Sequence, residues 1–204
     1  PWEGGEGLVS TQWVVAHREL AREALRQGQA SRALAFVRKA MSYPPNLGEG
    51  RHLLTPRNEL QLLLGQCLAA DGEIDEARTW FERAARPQGD PAEPEGEALF
   101  WQAMACRELG DVDEADARLA GLARQAAEQL TADVHIPYFA TSLPTLLLFD
   151  DDLSERARQE ALYLEGLALL GQGRTRAASA RFERLRRARP EHLEAALRLG
   201  RGEA

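Results

Sequence analysis

GQCLAADGEIDEARTWFERA, residues 65–84, is the stretch whose reading decides the fold. Its spacing predicts a helix that stops at Gly72 and a second helix that starts just after it. Gly65, Gly72, Ala77, Phe81 and Ala84 stand at offsets of 0, 7, 12, 16 and 19. Small residues at Gly65, Ala77 and Ala84 let two antiparallel helices approach closely, and Phe81 is the large knob between them. Gly72 suits the left-handed residue that follows a helix, where a Cβ is costly. One hairpin of this kind cannot keep both of its apolar flanks dry, so the stretch predicts further copies of itself.

Sliding the same template along the chain finds three more. Ala21, Gly28, Ala33, Val37, Ala40 and Pro45 make the first. A degraded third has Ala103, Gly110, Ala115 and Leu119, and the fourth has Gly166, Gly173, Ala178, Phe182 and Pro190. With these residues in place, most of 10–199 resembles the tetratricopeptide repeat (TPR) family, a 34-residue helix–turn–helix repeat. His17, Gln61, Leu99 and Leu162 stand where that family commonly has a Trp early in the first helix. The turn glycines lie 44, 38 and 63 residues apart, so insertions interrupt the array. The expected fold is therefore all-α: a TPR-like array of helical hairpins (an α-solenoid), about four of them, with insertions and a C-terminal capping helix. A linker at 1–9, a single repeat domain at 10–199 and a frayed tail at 200–204 complete the expected organisation.

PWEGGEG (1–7), PPNLGEGRHLLTP (44–56) and SLPTLLLFDDD (142–152) carry a second resemblance. They are similar to the TPR-bearing tail of large bacterial proteins of unknown function that begin with a β-sandwich region related to carbohydrate. That resemblance implies a piece of a longer polypeptide.

Composition agrees with helices: Ala, Leu, Arg and Glu dominate, and such side chains lose little rotamer freedom in a helix. Lys39 is the one lysine among 25 basic residues, an arginine bias that suggests a GC-rich bacterial genome, and a cytoplasmic location is expected. A net charge of −7 argues against general nucleic-acid binding, which needs a basic footprint. No apolar run approaches the ~20 residues of a membrane span. Cys67 and Cys106 are too few for a disulfide framework and read as buried thiols.

Further readings follow the chain. Ser10 or Thr11 is expected to cap the first helix, and a second helix covers about 31–43. Thr55 is the expected cap of a third helix that begins near Pro56 and runs to Asp71. The fourth covers about 74–86. Residues 87–96 are a Pro- and acid-rich connection. The fifth helix, about 97–109, carries ALFWQAMAC, too many large apolar groups for one narrow stripe. A sixth runs over about 113–130, longer than a second repeat helix requires. Residues 131–149 are apolar but broken by Pro137 and Pro144, so they need cover. Asp152 or Ser154 caps a seventh helix to about 170. An eighth covers 175–189, and residues 191–199 form the covering helix.

No catalytic or metal constellation stands out. His17, His52, His135 and His192 are scattered, and GxSxG, Walker A, GxGxxG and HExxH are all missing. Asp150–Asp152 has a cation-site composition, although a helix cap is the simpler reading. Gly48-Glu49-Gly50-Arg51 reads as a turn before a recognition loop. The arginines between 174 and 189 read as a solvated face before a polyanion site. An enzyme is not expected, nor is a cofactor.

The resemblance implies a concave groove lined by the first helix of each hairpin. By register the groove residues are Arg18, Arg22 and Arg26, then Gln66, then Phe100, Met104 and Arg107, then Tyr163. Arginine offers forked hydrogen bonds to carboxylates and the aromatics offer contact area, which suits an extended peptide with acidic and aromatic residues. The competing readings stay open: the arginine stripe as a solvated face, and Phe100 and Met104 filled from within, with 136–149 one candidate. The expected function is non-enzymatic protein–protein interaction or scaffolding, with a peptide or domain as partner. The N-terminal part of the same polypeptide and a second copy of the chain belong to that set, while nucleic acid and membrane do not. The alternative is an accessory C-terminal domain that buttresses or oligomerises a larger carbohydrate-active protein.

Overall fold

The computed structural model describes residues 8–42, 44, 55–88, 96–131 and 153–202. Of the expected linker 1–9, residues 1–7 lie outside the described residues and 8–9 already belong to the first helix; the expected turn at Gly48–Arg51, residues 89–95, the apolar segment from 132 onward and Asp150–Asp152 also lie outside them.

Every described element is a helix: α1 (Leu8–Arg26), α2 (Ala30–Ala40), α3 (Asn58–Asp71), α4 (Ile74–Ala84), α5 (Glu97–Glu108), α6 (Val112–Thr131), α7 (Leu153–Gly171), α8 (Thr175–Ala188) and α9 (Leu193–Gly200). The chain divides into two compact units, Pro1–Ala115 and Asp116–Ala204, with the division inside α6. In unit 1, α1 packs on α2, α2 on α3, α3 on α4, and α5 against both α3 and α4. In unit 2, α7 packs on α8 and α8 on α9.

Four turns repeat one geometry. Gly28, Gly72, Gly110 and Gly173 all have positive φ, between 71° and 94°. At each, the amide after the glycine donates 2.9 Å back to a carbonyl five residues earlier: Gln29 to Ala24, Glu73 to Leu68, Asp111 to Cys106 and Arg174 to Leu169. This is the Schellman closure, which satisfies the carbonyls a helix end leaves orphaned.

Within the hairpins, close approach at glycine is literal. A Cβ on Gly65 would sit 2.5 Å from the Phe81 ring, and one on Gly166 would sit 2.5 Å from the Phe182 ring. Ala21, Ala24, Ala33, Val37, Cys67, Ala77, Ala84, Ala103 and Ala115 form the small-residue core of unit 1. Leu119, Leu122, Leu164, Leu167, Ala178, Phe182 and Leu185 fill unit 2. Cys67 and Cys106 are both buried free thiols.

Helix ends differ from the sequence expectation. Ser10 and Thr11 lie inside α1, which already begins at Leu8. Position 57, not Thr55, precedes the first helical residue of α3. The side chain of Asn58, in the first turn, instead donates to Ala84 O (2.7 Å) and Arg86 O (2.8 Å), and so closes the C-terminal end of α4. That long-range bond has no local sequence signature. Ser154 lies within α7. The covering helix begins at Leu193, capped by the His192 ring, whose Nδ1 accepts from Ala195 N at 3.2 Å.

Candidate functional site

The first helices of the first three hairpins, α1, α3 and α5, all lie in unit 1, and α3 packs against both of the others. The Arg22 guanidinium of α1 lies 5.4 Å from the centroid of the Trp101 ring of α5. Side chains of all three helices therefore meet across one shared face of unit 1.

Side chains tie this face together. Arg18 Nη1 donates to Glu59 at 2.9 Å and Arg22 Nη2 donates to the other oxygen of the same carboxylate at 2.7 Å. Glu19 accepts from both arginines as well, at 2.9 and 3.0 Å. Further along, Gln66 Nε2 donates to Glu108 at 2.7 Å, which links α3 to α5. Trp101 donates its indole N–H to Glu97 at 3.2 Å, one turn back on its own helix. The bonds to Glu19, Glu59 and Glu97 are partly shielded from water, where they are stronger than exposed ones such as Gln66–Glu108.

The groove residues named by register fall into different settings. Arg18 is 5% exposed and Arg22 is partly buried, and together they form the paired network just described. Arg26 is exposed and pairs with Glu23 on its own helix. Met104 is half-buried and Arg107 is exposed. Phe100 is buried, with its ring edge-on to Trp101 at 4.8 Å between centroids. Tyr163 belongs to unit 2, where it is buried against Phe182 and His192. The carboxylate that Arg18 and Arg22 bind is Glu59, from α3 of the same chain.

Sequence reasoning passed over the residues that open this face. A pocket of about 260 Å³ lies between the first turns of α3 and α5, lined by Pro56, Asn58, Glu59, Glu97, Ala98 and Trp101. Glu59 and Glu97 are 38 residues apart, the same interval that separates Gly72 from Gly110. They occupy one register position in successive hairpins. That signal was available in the sequence, but turn glycines draw the eye to the other end of each helix. A second hollow, about 490 Å³, lies wholly in unit 2 and is lined by Leu130, Leu162, three arginines and two glutamates.

Among the described residues no three His, Cys, Asp or Glu side chains gather as metal ligands would. No described helix is long and apolar enough to cross a membrane. Burial pushes the Cys67 thiol up to about 11, so it is protonated and unreactive at neutral pH.

Comparison with known families agrees with the geometry. One tetratricopeptide repeat model matches residues 18–94 and 163–201, and a second tetratricopeptide repeat model matches residues 97–128. No solved structure matches the chain.

Proposed function

This chain belongs to the tetratricopeptide repeat family, whose repeats generally mediate contacts between proteins, and from that premise we propose that it is a binding module rather than a catalyst, docking an extended segment of another protein on the shared face of α1, α3 and α5. The observation that carries this reading is the meeting of α1 and α5 side chains across α3, Arg22 over Trp101, with a pocket opening beside it. A shared face lets one extended chain touch three helices at once, and a pocket in it offers an anchor point. Arg18, Arg22 and Glu59 hold the face rigid, which lowers the ordering cost of binding. Gln66, Met104 and Arg107 continue it toward the turn ends of the helices.

The test is direct. The whole chain is titrated with a diverse panel of 20-residue peptides, and each hit is located by amide NMR shifts. Shifts concentrated on α1, α3 and α5 are expected. Hits that map instead to the outer helices α2 and α4, around Arg38 and Arg78, overturn the reading, as does a panel with no hit at all.

A further inference from the structure

We propose that the second and third turns of unit 1 dock the fourth-hairpin turn of a second copy of this chain. The four turns share a backbone geometry but differ in what they display. The three residues after each turn glycine are Gln29-Ala30-Ser31, Glu73-Ile74-Asp75, Asp111-Val112-Asp113 and Arg174-Thr175-Arg176. At one register, the second and third turns show acid, large apolar residue, acid. The fourth shows base, threonine, base.

Every residue of these last three triplets is exposed. Ile74 and Val112, at 62% and 55%, are the two most exposed large apolar side chains among the described residues. Asp111 accepts from Glu114 N at 3.2 Å. The side chains of Glu73, Asp75, Asp113, Arg174 and Arg176 have no ion pair or hydrogen bond among the described residues. The second and third turns also stand at one end of unit 1. Gln66, shortly before Gly72, is bonded at 2.7 Å to Glu108, shortly before Gly110.

Helix stability accounts for part of this pattern only. Carboxylates in the first turns of α4 and α6 suit the positive end of a helix dipole. The same dipole disfavours Arg174 and Arg176 at the start of α8, whose first turn holds no acid. Water disfavours Ile74 and Val112. A contact between copies answers both costs. The arginines pair with the flanking carboxylates, and the central Ile74 or Val112 meets the methyl group of Thr175. At longer range, unit 1 carries the net charge of −7, and its field draws the basic turn of another copy. Exposed ion pairs are individually weak, so the association is weak and sensitive to salt. It uses the turn ends of α4, α6 and α8, not the first-helix face, so its failure leaves the docking reading above intact.

The intact chain is followed by sedimentation equilibrium from micromolar to near-millimolar concentration. In low salt the average mass is expected to rise with concentration, and to return to the monomer at about 1 M salt, where the Debye length is about 3 Å. Two variants reverse one partner each: Arg174→Glu with Arg176→Glu, and Glu73→Arg with Asp75→Arg and Asp113→Arg. Alone, each should associate about tenfold or more weakly than the wild type. Mixed one to one they should associate again, because each supplies the charge the other lacks. Circular dichroism and urea midpoints near those of the wild type confirm that both variants fold. A wild type that is monomeric at every concentration overturns the proposal. So does association unmoved by either reversal, or a mixture no more associated than its parts. A monomeric wild type that binds an oligoarginine peptide at these turns overturns the second copy as occupant in favour of an outside basic partner.

Discussion

Gly65 and Gly166 sit where a facing phenylalanine ring leaves no room for a methyl group. Alanine gains about 1 kcal/mol over glycine in an open helix, but overpacking a filled core costs about 1–3 kcal/mol. Phe182 is wholly buried and Phe81 is not quite, so the second ring has more freedom to yield. Gly166→Ala is therefore expected to lower stability by about 1–2 kcal/mol, and Gly65→Ala by less, in urea unfolding. His192 makes a second prediction at this scale. Its pKa is held below the ordinary 6.5, first by burial and then by Arg189, against the opposing pull of Glu194 and Glu191. Its Nδ1 must stay unprotonated to accept from Ala195 N, and its ring rests on Tyr163. The unfolded chain thus takes up the proton first as pH falls. This contribution is complete above about pH 6.5 and is lost as the pH drops through the lower folded value. His192→Asn keeps a capping oxygen that does not titrate, so its unfolding midpoint should change less than the wild type's between pH 7.5 and 5.5.

At the scale of elements, α1 and α3 are joined by charge as well as by packing. Arg18 and Arg22 share one carboxylate, Glu59, and lean on Glu19 for a second. Removing the charge of Glu59 leaves a buried guanidinium half-compensated. Losing a partner from a fully buried pair costs about 3–5 kcal/mol, and the surviving Glu19 contacts should reduce this to about 1–3 kcal/mol for Glu59→Gln. In an Arg18→Met background the same substitution should cost less, and a double-mutant cycle by urea unfolding measures the difference. Equal costs in both backgrounds would show that the pair is not coupled. The turns that close the hairpins were legible because αL geometry selects glycine locally. The Glu59 network was not legible, since both partners are ordinary surface-type residues brought together over 41 positions.

Across the whole molecule, the net negative charge belongs to one of two compact units: 1–115 holds 12 Lys and Arg against 19 Asp and Glu, and 116–204 holds 13 of each. Association between copies should therefore weaken as salt is raised, because added ions shorten the Debye length from about 10 Å at 0.1 M to about 3 Å at 1 M. Sedimentation at several salt concentrations checks this, and salt-independent association would assign the recognition to apolar contact alone. What the sequence determined by itself is the helical repeat: the Gly–Ala–Phe–Ala spacing encodes turn and close approach within one hairpin, and both are local properties of the chain. Tertiary structure alone decided which side chains share the first-helix face. There Arg18 and Arg22 meet a carboxylate from the next hairpin, and the first turns of α3 and α5 part to leave a pocket, because helix packing and side-chain reach act between segments that sequence spacing does not join.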